Sequence, residues 1–447
     1  MSGCRSPLSR TCALLILLAS CSAFILTEKP GKVLIISLDG FRHDYLELAK
    51  LAEINISAFK RIWNSGFRAM RVQNEFISRT GPNHFTIATG LHEESHGLVD
   101  NSFYDPHLNA TFALTDTTQA NDSRWFDVGA EPIWVTNERH GYRSAVNAWP
   151  GIYAKIKGSL PSYVYPNFNF SIPFRQSISW MIEQLQKPNT TLGMLYHNQP
   201  DIEGHNFGPY SHQVLRTIDL INQDLGYLLQ QVDNIPSLST DLNIIVTSDH
   251  GMVSVDRQRM IILDELIDQT NYTSPGPPVR VMWALWPKDG FTALDLYNRL
   301  VNKHLMLRVY LRENVPQNLY YSRSWRIAPV VLFAHPGWLI AQDEAAVASY
   351  DLAGDHGYST DWPEVYPFFL AMGPEFRPHT GTKTIPLIHM VDIYPLVCHL
   401  IGLSDPAPNN GSLDRVLDLV QSRRSYFGSG ADRFTGKYRN QRGCFST

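Results

Sequence analysis

Cysteine is scarce: there are five in 447 residues, and Cys4, Cys12 and Cys21 all lie near the N-terminus. Cys398 and Cys444 remain, enough for one disulfide at most, so stability has to come from a packed core. Basic charge is also short, with 38 Lys+Arg against 42 Asp+Glu, a formal net charge of −4 and no run of five basic residues. Wrapping a polyanion needs clustered cations, so a nucleic-acid polymer is not expected as partner. Beyond the N-terminus there is no second long apolar run, and no stable membrane span is expected. Internal repeats and low-complexity segments are absent too.

What is present is ordinary globular material, 44% hydrophobic and 18% charged. The length allows two or three average domains, yet large α/β enzymes spend as much chain around one sheet. Arg5 and Arg10 precede the apolar run Cys12–Ala19 and the small residues Cys21, Ser22 and Ala23. That order reads as a secretory signal peptide over residues 1–23, because the apolar stretch, ending near Leu26, is short for a membrane anchor. Sequons at Asn55, Asn109, Asn121, Asn169, Asn189, Asn271 and Asn410 lead to the same expectation, an extracellular protein with N-linked glycans. Residues 421–447 form a polar, basic tail. Membrane anchoring is expected only if the natural chain continues beyond it.

Three short apolar runs each lead to an aspartate. Lys32–Leu38 ends at Asp39-Gly40, Thr191–Tyr196 is followed by Pro200-Asp201 and His205, and Leu242–Val246 runs into Thr247-Ser248-Asp249-His250-Gly251-Met252. A fourth motif, Gly354-Asp355-His356-Gly357-Tyr358, lies far along the chain. An isolated Asp-His-Gly reads as a turn, but repeated carboxylates after strands do not. Open α/β sheets collect their chemistry at such strand ends, and mixed carboxylate and imidazole donors suit zinc or a similar ion.

The apolar spacing of Leu46–Trp63 predicts one or two helices, and Phe174–Leu185 and Val214–Val232 predict two more. Pro82 and Gly90 frame a short helix with Thr80 at its N-terminus, where free N–H groups and the helix dipole favour phosphate. Alternating strands and helices give an α/β fold, a mainly parallel central sheet with helices on both faces. Residues 24–420 read as one catalytic domain, within which about 255–340 form a small inserted subdomain. Ala293–Leu307 is expected there as a helix and Val330–Phe333 as a strand.

Taken in order, Leu38–Tyr45, Arg79–His84, Thr89–Gly97 with Asn101, Pro200–Pro209, Ser248–Met252, Gly354–Tyr358 and Asn410–Asp414 resemble the nucleotide pyrophosphatase/phosphodiesterase family of the alkaline phosphatase superfamily. The resemblance runs from about Val33 to Leu419 and implies an alkaline phosphatase-like fold. It implies two zinc ions, one held by Asp39, Thr80, Asp249 and His250, the other by Asp201, His205 and His356. Thr80 would be the nucleophile of a hydrolase that cleaves nucleotide-type phosphodiester or phosphoanhydride bonds through a phosphothreonine. A threonine hydroxyl is too weakly acidic for this at neutral pH unless a metal or base lowers its pKa. Asn101 and the Gly81 N–H would steady a phosphoryl oxygen. The plain alternatives are a helix cap for Thr80 and a turn residue for Asn101. Trp149, Phe168 and Tyr196 match regions where the family lines its substrate pocket, against an ordinary core role. His84 and His96 read as hydrogen-bonded structural residues.

Two departures from the family pattern bear on substrate. Gly81 stands where nucleotide-cleaving members usually carry an aromatic residue, which keeps a phosphodiesterase acting on choline phospholipids as the alternative. Asp355 and Ser359 flank the His356 motif where a neutral and an acidic or amide residue are more usual. A non-catalytic adhesion ectodomain would be expected to have lost ligands, and all seven positions are intact. A sulfatase would need a cysteine or serine nucleophile in its own motif.

Overall fold

The computed structural model describes residues 29–166, 169–377 and 387–421. The signal-peptide segment, Phe168, Cys444 and nearly all of the polar tail lie outside the described residues. Cys398 is buried in the helix Ile393–Ile401. Among the described residues no helix is long and apolar enough to cross a membrane.

The centre is a seven-stranded sheet in the order Gly66–Ala69, Phe369–Met372, Leu242–Thr247, Lys32–Leu38, Thr190–His197, Arg143–Asn147, Tyr163–Val164. Pairing is parallel from Leu242–Thr247 to Tyr163–Val164, and only Phe369–Met372 runs against its neighbours. The β-branched runs are buried because the sheet is covered on both faces. Side chains alternate accordingly: Val33, Ile35, Leu192 and Met194 enter one apolar cluster, while Leu34, Ile36, Leu38 and Leu195 enter the other. Helices Tyr45–Leu51, Ser57–Ser65, Phe174–Gln186 and His212–Asn234 cover the second face. Thr80–Thr89, Ile133–Arg139 and Ile393–Ile401 cover the first.

Ser37 pairs with both Tyr196 and Thr247, so three adjacent parallel strands end level. Asp39, the Pro200-Asp201 turn and Asp249-His250 therefore emerge together. Between His250 and His356 the chain builds a two-stranded ribbon, Val253–Ser254 with Gly354–Asp355, and two small sheets around Val281, Trp283, Leu332 and Ile340, a third apolar cluster. The helix expected over Ala293–Leu307 stops at Leu300. Its start is secured by a Thr292–Asp295 capping box. β-Branched Val301 leaves helical geometry and Asn302 takes φ +61°, after which Leu307–Leu311 is a strand. Of the seven sequons, only the asparagine at Asn271 is buried, 4% exposed in a short turn of the subdomain.

Arg326 ties this insertion to the main body. Its guanidinium is buried, donating to Asp105 Oδ2 (2.7 Å) and to the carbonyls of Gly97 (2.9 Å), Trp125 (2.8 Å) and Arg124 (3.0 Å). Arg326→Met should lower unfolding stability by about 3 kcal/mol, because buried Asp105 loses its counter-charge and keeps only the His107, Leu108 and Trp325 N–H groups. Urea denaturation followed by tryptophan fluorescence checks this, and a loss below about 1 kcal/mol would mean the pair behaves as a surface contact.

Candidate active site and metal centre

All seven candidate ligand residues come together beyond the level strand ends. Asp201 and His205 share one face of the helix Asp201–Phe207, an i, i+4 pair with Nε2 3.4 Å from Asp201 Oδ2. His356 Nε2 lies 3.6 Å from Asp201 Oδ1. His250 Nε2 sits 3.4 Å from Asp39 Oδ1, 3.1 Å from Asp249 Oδ2 and 3.3 Å from Thr80 Oγ1. Two overlapping donor groups result, Asp201 with His205 and His356, and Asp39 with Asp201 and His250, each with its ligand atoms within 4.8 Å of one another.

Each ring is anchored through its other nitrogen. His205 Nδ1 donates to the Gly354 carbonyl (2.8 Å), His250 Nδ1 to that of Gly251 (2.9 Å) and His356 Nδ1 to that of Ser78 (2.8 Å). A carbonyl can only accept, so the proton belongs on Nδ1 and the Nε2 lone pair faces the carboxylates. Opposite them, Asp39 Oδ1, Asp201 Oδ1 and Asp249 Oδ2 are buried without a hydrogen-bond partner. Lone pairs facing lone pairs across 3.1–3.6 Å call for cations between them. The residues fit a metal centre.

Charge crowding appears in the acidities. Burial, then Asp249 and Asp201, push the Asp39 carboxyl well above its ordinary range, and burial raises that of Asp201 against the pull of His205 and His250. Burial opposes the charge on Asp249 and on His250 alike, yet each outweighs it for the other, holding the carboxyl's pKa low and the ring's high, so a proton or a cation is wanted between the two. Burial, helped by His250, Arg79 and His205, keeps the His356 ring neutral, the form that binds metal.

Thr80 begins the helix Thr80–Thr89, which ends at Gly90 in the left-handed conformation. Of the expected free N–H groups at this start, only that of Thr80 itself is left without a partner among the described residues. Gly81 N–H donates to Asn101 Oδ1 (2.7 Å), Pro82 has none, and Asn83 N–H reaches the Arg79 carbonyl (3.1 Å). Gly81 therefore orients Asn101 through its N–H. Asn101 Nδ2 is left free by that bond.

Trp149 and Tyr196 stand behind the site and do not line an open wall. Trp149 is 3% exposed and donates from Nε1 to the His84 carbonyl (2.7 Å). Tyr196 donates its hydroxyl to Asp39 Oδ2 at 2.5 Å. His84 bridges Thr80 O (2.7 Å) and Ser37 Oγ (2.9 Å), and His96 meets Thr86 Oγ1 (3.1 Å), so both are structural. Sequence reasoning missed Leu114. A Cβ added at Gly81 would come within 2.9 Å of Asn101 Oδ1 and 3.2 Å of a Leu114 methyl, so Leu114 fills the space a residue-81 side chain would use.

Residues 33–359 match the type I phosphodiesterase / nucleotide pyrophosphatase family. The chain belongs to that family. Human ectonucleotide pyrophosphatase/phosphodiesterase family member 5 is 37% identical over 403 residues, 90% of this chain and 80% of that protein. Human bis(5'-adenosyl)-triphosphatase is 38% identical over 396 residues, 88% of this chain and 82% of that one. The solved murine ectonucleotide pyrophosphatase/phosphodiesterase 5 superposes with a TM-score of 0.80 at 38% identity, covering 87% of this chain and all (100%) of the other. An inactive form of the murine protein has been solved in complex with AMP, TM-score 0.80 at 37% identity, covering 88% of this chain and 100% of the other. The fold is alkaline phosphatase-like, and the family is one of phosphodiesterase and pyrophosphatase hydrolases.

Tyr196→Phe removes the donor that fixes Asp39. Zinc affinity, read by competition with a chromogenic chelator, should fall by about 10-fold or more. Unchanged affinity would leave Tyr196 a plain core residue.

Proposed function

We propose that the chain is a secreted, N-glycosylated, two-zinc hydrolase that cleaves nucleotide-type phosphodiester or phosphoanhydride bonds through a phosphothreonine at Thr80. One observation carries the reading. Three unpartnered carboxylate oxygens and three imidazoles anchored through Nδ1 converge beside the hydroxyl of a threonine that opens a helix. The named activity of the triphosphatase relative and the AMP complex support nucleotides as the substrate class.

Asp39, Thr80, Asp249 and His250 would hold one ion, and Asp201, His205 and His356 the other. When bound, the ions supply Lewis acidity, lowering the pKa of the Thr80 hydroxyl and neutralising charge on the phosphoryl and leaving oxygens. Thr80 Oγ1 gives up its proton to solvent and bonds to phosphorus in line with the departing oxygen, whose bond to phosphorus breaks and which leaves as an anion or takes a proton from solvent. His84, by holding the Thr80 carbonyl, fixes the turn from which the hydroxyl projects. Asn101 Nδ2, aimed by its bond to Gly81, donates to a non-bridging oxygen. Water then cleaves the phosphothreonine and restores the hydroxyl.

The absence of an aromatic residue at position 81 does not by itself favour choline lipids. Leu114 already supplies an apolar side chain there, against Gly81 and beside Asn101, suited to a nucleoside as much as to a choline head group.

Release of p-nitrophenol from a nucleoside 5'-monophosphate p-nitrophenyl ester should exceed release from p-nitrophenyl phosphorylcholine, and Thr80→Ala should lower it by about 10³-fold or more. Activity retained in Thr80→Ala would sink the phosphothreonine, and a preference for the choline ester would reverse the substrate assignment.

A further inference from the structure

The residues just ahead of Thr80 are fastened to the loop that carries His356. Ser78 receives His356 Nδ1 on its carbonyl (2.8 Å), while its hydroxyl donates to the Tyr358 carbonyl (3.0 Å) and accepts the Gly357 N–H (3.0 Å). Arg79 Nη1 lies 3.4 Å from Asp355 Oδ1, and the same oxygen accepts the His356 N–H at 2.7 Å. Ser78 is fully buried and Asp355 is 5% exposed. At Gly357, with φ +106°, an added Cβ would come within 2.7 Å of Arg79 Nε, so the approach leaves little room for a side chain. Two consecutive residues thus grip four, Asp355 to Tyr358.

We infer that Ser78 and the Arg79–Asp355 pair are positioning residues that set the span between the Thr80 hydroxyl and the metal subsite of Asp201, His205 and His356. This rests on the function proposed above, where the attacking oxygen belongs to Thr80, and here the departing oxygen is set toward that subsite. In-line displacement needs the two on opposite sides of phosphorus, and an error of about 1 Å in such a span costs about 100-fold in rate. The carbonyl of Ser78 sets the His356 tautomer, and its hydroxyl holds the turn that aims the ring. Asp355, where the resembling family more often has a neutral residue, adds an ionic lock between the same segments. Loss of the Ser78 hydroxyl frees a buried N–H of Gly357 and lets the His356 loop drift from Thr80, while Asp39, Asp249 and His250 keep their own anchors.

The test compares Ser78→Ala and Asp355→Asn with the wild-type full chain, counting protein-bound zinc during graded chelator challenge and measuring steady-state kinetics on the nucleoside ester. Wild type should retain two ions. Ser78→Ala should lose one of them at about 10-fold lower chelator strength and the other as in wild type, with kcat down about 10- to 100-fold and KM shifted less than about 3-fold. Asp355→Asn, which keeps an acceptor for the His356 N–H but not the charge for Arg79, should show the same one-ion loss more weakly. If Ser78→Ala does not fold, as judged by its melting curve, Asp355→Asn decides. Two ions in wild type, with both variants releasing them in parallel with it and keeping its kcat, overturns the clamp alone. Wild type that binds no zinc overturns the proposed function and the clamp with it.

Discussion

Level parallel pairing of Lys32–Leu38 with its two neighbours is the constraint on which the site depends. Because Ser37 stands in register with Tyr196 on one side and Thr247 on the other, the turns that follow open at one height. Asp39, Asp201 and Asp249 are then forced into one small, largely buried space. Apolar packing on both faces of the sheet holds the register, since a one-residue slip would turn Val33 and Ile35 toward the wrong layer. The energy of the core is thereby spent on keeping like charges together, a state that invites cations.

Much of this was legible in the chain. The three runs before the aspartates are short and largely apolar, two of them rich in Val and Ile, because their strands are buried on both sides, and periodicity marked the helices Phe174–Gln186 and His212–Asn234. The ligand residues were legible because each follows a strand or sits in a short motif with fixed spacing. Period-two alternation also puts Tyr196 on the face of Leu192 and Met194, though nothing in it points to the Asp39 carboxylate. The bond between Gly81 and Asn101 was not legible because it joins positions twenty apart, and its direction is a tertiary fact. The overlong helix after Ala293 has a local cause: apolar residues continue past Leu300, and the exit at Val301 and Asn302 is set by backbone conformation.

The insertion between His250 and His356 has a core of its own, yet it is not independent of the site. Arg326 reaches from it to Asp105, in the hairpin of Ser102–Asp105 and Ala110–Ala113 that begins directly after Asn101. Tyr321 donates to the Val99 carbonyl at 2.8 Å, two residues before Asn101. The subdomain thus braces the segment leading to Asn101 from behind while returning the chain to His356. A polar contact and an apolar core here serve one geometric end.

The wide sequence separation of Asp39, Thr80, Asp201, Asp249 and His356 bears on how the protein matures. During synthesis the first carboxylate and the threonine emerge long before the last imidazole, so no early fragment can assemble the full donor set. Contacts of this range form late and slowly. The hydrolytic apparatus is thus silent on the growing chain, and its completion coincides with closure of the whole domain.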